Sequence, residues 1–178
     1  PYRAGVSGGN WFRDTATPDY LAARLSGAPG IYVGIGEFHL PIDKAARTPV
    51  LKRVIALARQ HGIVLHVHAS AGPVRALFEQ ASDLRILWAH AGFSDQLEVI
   101  AEMMERYDKL WAEVSFRGAD IAPGGRIDPQ WKALFKRFPE RFLIGSDTYV
   151  TTRWEHYGEL IEEHRAWLGD LPPAVAKA

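Results

Sequence analysis

The chain has 178 residues, 47% of them hydrophobic and 24% charged, with 21 basic residues against 21 acidic ones. That balance excludes the electrostatic footprint of a nucleic-acid or polyanion binder, and no apolar run approaches the roughly 18 residues of a membrane span. There is no cysteine, which excludes disulfides, thiolate nucleophiles and Cys-based zinc sites; any metal must be held by His, Asp or Glu.

The size suits a single domain over residues 1–178. The opening "PYRAGVSGGNWF" reads as the middle of a loop, and the closing "LGDLPPAVAKA" as the first turn of a helix, so the sequence reads as a fragment cut at both ends. Five β-rich runs follow in chain order: "GIYVGIGEF" (30–38), "IVLHVHA" (63–69), "RILWAHA" (85–91), "LWAEVSF" (110–116) and "RFLIGSD" (141–147). Helical patterns lie between them. Thr48 and Pro49 form an N-cap and first-position pair before Leu51, Ile55 and Ala58, and Gly62 ends that helix. Val74, Leu77, Phe78 and Ala81 repeat the spacing behind Pro73; so do Leu97, Ile100, Ala101 and Met104, and "PQWKALFKRF" is a shorter version. A last helix is predicted from about Thr152 to Leu168. The alternation is that of consecutive βα units, and the near-continuous apolar runs suit parallel strands covered by helices. The fold class is therefore α/β, as an open doubly wound sheet or a closed barrel. "GIGEF" has its glycines inside a strand with no phosphate loop after it, and gives no nucleotide signal.

Both architectures gather functional groups at the carboxyl ends of their strands. Those ends carry Glu37, then His66 and His68, then His90, then Glu113 and Ser115, then Asp147. Each residue alone has a structural explanation, as a hydrogen-bonded core histidine, a helix cap or, for Glu113, a partner of Arg117. Five such ends at one pole point instead to one shared site. Its imidazoles and carboxylates suit a divalent transition metal, zinc first and manganese or iron next, with a water made acidic by the ion. Asp147 could take that water's proton and pass it to a leaving group, and His90 could polarise a carbonyl. Glu113 and Arg117 are expected to contact substrate, Arg117 by holding a carboxylate. His39, on the same face as Glu37, reads equally well as an outer neighbour of the site or as loop. His61 at a helix end reads as structural, His156 and His164 as solvated, Trp88 and Trp111 as packing. The Gly/Pro-rich stretch 118–129 reads as a lid or specificity loop.

In "GIGEFHL", "VLHVHAS", "ILWAHAGFS", "LWAEVSFR" and "FLIGSDT", in that order, the chain resembles the amidohydrolase superfamily, in the branch called amidohydrolase family 2. The resemblance covers nearly everything from about residue 30, and "WAHAG" and "GSDT" are its most specific pieces. It implies a (β/α)8 TIM barrel with a metal at its carboxyl face. It further implies His68 as the histidine ligand of the fifth strand, with His66 deeper as its neighbour. His90 corresponds to the histidine of the sixth strand, which binds metal or substrate, and Asp147 to the metal-binding, proton-handling aspartate of the eighth. Glu37 falls on the fourth strand, where some branches bridge two metals; one ion or two are allowed. The family's H-x-H pair of a first strand has no counterpart here. The chain thus reads as strands four to eight, about five βα units of a partial barrel. That predicts an exposed edge, and a chain that is poorly stable alone, homo-oligomeric or dependent on the missing strands.

The function expected is hydrolysis of a C–N or C–O bond in a small carbonyl-containing substrate. The alternatives are non-oxidative decarboxylation of an aromatic or α,β-unsaturated acid at the same metal site, and a non-catalytic half-barrel that binds a ligand or partner. A small-molecule substrate is the partner expected, and a homo-oligomer is allowed; nucleic acid is not expected, and no membrane span is read in this chain.

Overall fold

A computed structural model describes residues 10–177. Five parallel strands, β1 (Gly34–His39), β2 (Val64–His68), β3 (Ile86–Trp88), β4 (Leu110–Glu113) and β5 (Phe142–Leu143), form one sheet in the order β1-β2-β3-β4-β5. Each strand pairs with its predecessor, and helices cross between them: this is a run of five βα units of a (β/α)8 barrel. Leu65, Val67, Ile86, Trp88, Leu110 and Ala112 are buried under the helices, while Val64, His66, His68, Leu87 and Trp111 line the opposite, half-open face. The two-residue period of a strand makes this split, and it puts His66 and His68 together on the half-open face.

The helices are α1 (Thr17–Gly27), α2 (Asp43–Ala46), α3 (Pro49–His61), α4 (Ala71–Phe78), α5 (Leu97–Arg106), α6 (Gly118–Ile121), α7 (Pro129–Arg137), α8 (Thr151–Glu155), α9 (Tyr157–Leu168) and α10 (Pro173–Ala176). In α3 the Thr48 hydroxyl accepts from Leu51 N–H at 3.3 Å, and Gly62 takes the left-handed conformation (φ 61°) that the sequence predicts for its end. The apolar stripes of α3, α4 and α5 all face the core, α5 adding Met103 to the expected set. Helix α1, with Leu21 and Leu25 buried, was not anticipated although Pro18 and the i, i+4 leucines announce it. Among the described residues no helix is long and apolar enough to cross a membrane.

Three differences from expectation matter for the site. The strands are shorter than their apolar runs, β1 starting later and β2 to β5 stopping earlier than those runs do. The single last helix is two: His156 (φ −102°, ψ 11°) breaks it, and Gly158 weakens helix propensity just beyond. The break lets α9 turn His164 and Trp167 into the core, so His164, expected in solvent, is 7% exposed. Finally, stretch 118–129 is not an open loop: it holds α6 and a 3-10 turn (Pro123–Gly125), with Ile121 buried and its carbonyl accepting from Asp128 N–H at 2.7 Å.

Candidate metal centre

The pairing register of β1 and β2 slips between Ile35 and Phe38, leaving Gly36 and Glu37 as a bulge opposite β2. Gly36 has φ 150°, and a Cβ there would collide with the His66 backbone, so only glycine fits. A bulge re-aims the side chain beside it. Glu37 is thereby swung over the strand end, where its Oε1 lies 2.8 Å from His68 Nδ1 and 3.6 Å from His90 Nε2.

His90 arrives by a different device. β3 ends at Trp88, which is fully buried and donates from Nε1 to Ala69 O at 2.7 Å. The chain then turns through a tight segment, Ala89–Gly92, in which His90 and Ala91 have φ of 54° and 46°. That left-handed turn directs the imidazole across the sheet, and it is held there from behind. Glu113, at the end of β4, accepts from His90 N–H at 2.6 Å and lies 2.8 Å from His90 Nδ1. Ser115 donates to the same carboxylate through its N–H (2.9 Å) and hydroxyl (3.0 Å), and its Oγ is 2.7 Å from His90 Nδ1. With Nδ1 occupied, Nε2 is the nitrogen left to face Glu37.

Glu37, His68 and His90 each offer one ligand atom, all within 4.8 Å of one another. Two imidazoles and a carboxylate form a donor set for zinc and its neighbours, and an oriented Nδ1–H···carboxylate contact behind a ligand is the support such a set needs. His39 is mostly exposed, its ring stacked on His68 with centroids 4.0 Å apart and Nε2 3.7 Å from Glu37 Oε1. His66 sits one step deeper on the same face; its buried Nε2 has no hydrogen-bond partner. Asp147, just beyond β5, is half-buried and outside the three-ligand group.

Two residues expected to contact substrate have their polar atoms engaged within the chain. Glu113 has its oxygens taken by His90 and Ser115 and is 7% exposed, so it supports the imidazole instead of opening to a ligand. Arg117 is 5% exposed; it donates to the carbonyls of Phe93 (2.6 Å) and Asp95 (3.1 Å), pairs with Asp120 at 3.0 Å and lies over the Trp131 ring. Its donors are engaged in the loops under the site, and Glu113 is not its partner. The sequence reading also passed over Phe93 and Phe116. Both are half-exposed, at φ 58° and 61°, with rings 5.8 and 5.4 Å from that of His90. Each stands shortly after a strand-end site residue, which was the signal available.

The charges are strongly coupled. The hydrogen bond from His68, then the nearby His90 imidazole, holds Glu37 well below the usual carboxylate range. Burial opposes the charged form of His90, but its bonds to Glu113 and Glu37 outweigh that and push it up to about 9. Burial also opposes ionisation of Glu113, which the bonds from His90 and Ser115 overcome, leaving it lowered. Asp147 is raised, by burial first and then by the charge of Glu37, while burial lowers His39 and His66.

A pH dependence follows for the chelator-treated chain. His90 titrates higher folded than unfolded, so its contribution to stability is complete below about 6.5 and is lost as pH rises to about 9. The urea midpoint at pH 6 is expected to exceed that at pH 9.5, and His90→Gln to remove most of the difference. An equal difference in that variant would assign the loss to other groups.

No curated protein and no solved structure matches the chain. The family model for amidohydrolase matches residues 5–178, so the resemblance carried by "GIGEF", "WAHAG" and "GSDT" extends across almost the whole sequence. Its sheet of consecutive parallel strands and its His/Glu group at the carboxyl pole agree with that match, and the chain belongs to amidohydrolase family 2.

Proposed function

We propose that this chain carries the metal-binding pole of a metal-dependent hydrolase that cleaves a C–N or C–O bond of a small carbonyl-containing substrate. The observation that supports it most directly is the convergence of Glu37, His68 and His90 within 4.8 Å, with His90 braced by Glu113 and Ser115. A divalent ion, zinc by preference, would supply Lewis acidity toward a carbonyl and make water acidic enough to ionise near neutral pH.

The chain's own residues divide the remaining work. Glu37, His68 and His90 would hold the ion. Glu113 and Ser115 keep the His90 ring in the one orientation that serves this. Asp147 accepts a proton at its carboxylate and returns it to the leaving group; its raised affinity for protons, from burial and the nearby Glu37 charge, suits that exchange. Phe93 and Phe116 flank the imidazole and keep water from the reacting carbonyl.

The chain, stripped with chelator and reloaded, is expected to retain close to one zinc per molecule after gel filtration, by elemental analysis. It is further expected to release acid from simple lactones or anilides only when loaded, followed by pH-stat. A chain that retains no zinc sinks the reading. Release of CO2 from aromatic carboxylates with no acid from the lactones would make it a decarboxylase.

A further inference from the structure

Asp147 has φ 44°, a left-handed conformation that a residue with a side chain adopts at a cost and keeps only where its surroundings insist. Those surroundings include the Tyr149 N–H, which donates to Asp147 O at 3.0 Å, and two side chains from the helices that follow. Arg153 in α8 donates from Nη2 to Ser146 O at 2.7 Å and from Nε to Asp147 O at 2.8 Å, with its guanidinium 4.0 Å from the centroid of the Phe116 ring. His164 in α9, 7% exposed, makes a 3.0 Å bond through Nε2 to Gly145 O. Its other ring nitrogen, Nδ1, is buried without a hydrogen-bond partner. An apolar side chain of the same volume would avoid leaving that atom unpaired, so the contribution particular to an imidazole here is the bond to Gly145 O.

We propose that Arg153 and His164 are positioning residues which, by gripping the three successive carbonyls of Gly145, Ser146 and Asp147, hold Asp147 in its left-handed conformation at the pole of the sheet that carries Glu37 and His90. The functional half of this rests on the hydrolase reading above; the backbone half does not. The grip works from outside the site. All three carbonyls are drawn toward α8 and α9, while the Asp147 carboxylate lies within reach of the charges of Glu37, His90 and Glu113 and of Arg153 itself. Arg153 is itself braced by Phe116, so the aromatic residue beside His90 and the backbone of Asp147 are fixed by one guanidinium.

Two readouts separate positioning from general support. The first is zinc affinity by chelator competition, in Arg153→Ala and His164→Leu, each alone and with Asp147→Asn, folding being checked by circular dichroism. Each single change is expected to weaken zinc roughly tenfold, as outer partners of metal sites do, and to add nothing once Asp147→Asn is present. His164→Gln, which keeps a donor near the Nε2 position, is expected to restore affinity. Losses as large in the Asp147→Asn background, or no loss from Asp147→Asn itself, overturn the proposal. The second readout is the intraresidue HN–Hα NOE of Asp147 in the chelator-treated chain, strong only at positive φ. It is expected to fade in the Arg153→Ala/His164→Leu double variant, and its persistence overturns the grip. If the unaltered chain binds no zinc, the hydrolase reading falls and this NOE alone decides the backbone claim.

Discussion

Replacement of His68 by alanine is expected to weaken zinc binding on the order of 100-fold or more, since loss of a mere outer partner costs 10–100-fold in such sites. The change removes one of the three convergent donors and also frees Glu37 Oε1 from its 2.8 Å contact with the ring. Little else should follow. The His68 side chain is 28% exposed and packs on the rings of His39, His90 and Phe93, so the sheet beneath it does not depend on the imidazole. The informative control is His66→Ala, on the same strand and the same face but one step deeper and outside the ligand group. Calorimetric titration with zinc should leave that variant within a few-fold of the parent. Equal losses in the two variants would place the ion deeper in the barrel than the Glu37–His68–His90 group.

A single methyl group at Gly145 is expected to cost about 3 kcal/mol or more of stability, the range seen when a buried ionic contact is broken from one side. A Cβ there would fall well inside van der Waals contact with Glu113 Oε2 and 3.1 Å from the carboxyl carbon. A flexible surface carboxylate would step aside, but Glu113 cannot do so freely. It is 7% exposed and accepts from His90 N–H, from Ser115 N–H and from the Ser115 hydroxyl, beside the His90 ring. Displacing it leaves those donors unpaired and releases the ring that presents Nε2 to Glu37. Urea denaturation of Gly145→Ala should therefore show the loss of stability together with weaker zinc binding. A variant within 0.5 kcal/mol of the parent, roughly the spread of neutral surface changes, would mean that Glu113 is free to move and that its bracing role is overstated.

Much of this could be read directly from residue order. The strand runs, the helix stripes and the pole at which Glu37, His68, His90 and Asp147 stand are local patterns, set by two-residue and 3.6-residue periodicities and by capping chemistry such as Thr48–Pro49 and Gly62. What resisted was conformation without a compositional sign. Nothing in "WAHAGFS" says that His90, Ala91 and Phe93 adopt positive φ, because none of the three is a residue type that announces that conformation as glycine does. Side-chain allegiance was equally hidden. Glu113 and Arg117 share a strand face in an ideal strand, which suggested a pair. The strand ends at Glu113, however, and each finds its partners across the sheet or in the loops. His164 reads as solvated only on a helix continuous from Thr152; the break at His156 rotates everything after it.

The sequential order of the sheet also fixes a timetable. Glu37 and His68 become neighbours as soon as β2 is laid beside β1, and His90 joins them once β3 is in place. Glu113 follows on β4, and Asp147 comes last, with Arg153 and His164 further along still. A chain emerging from its N-terminal end therefore carries the three candidate ligands before the residue that braces His90, and well before the one that would handle the proton.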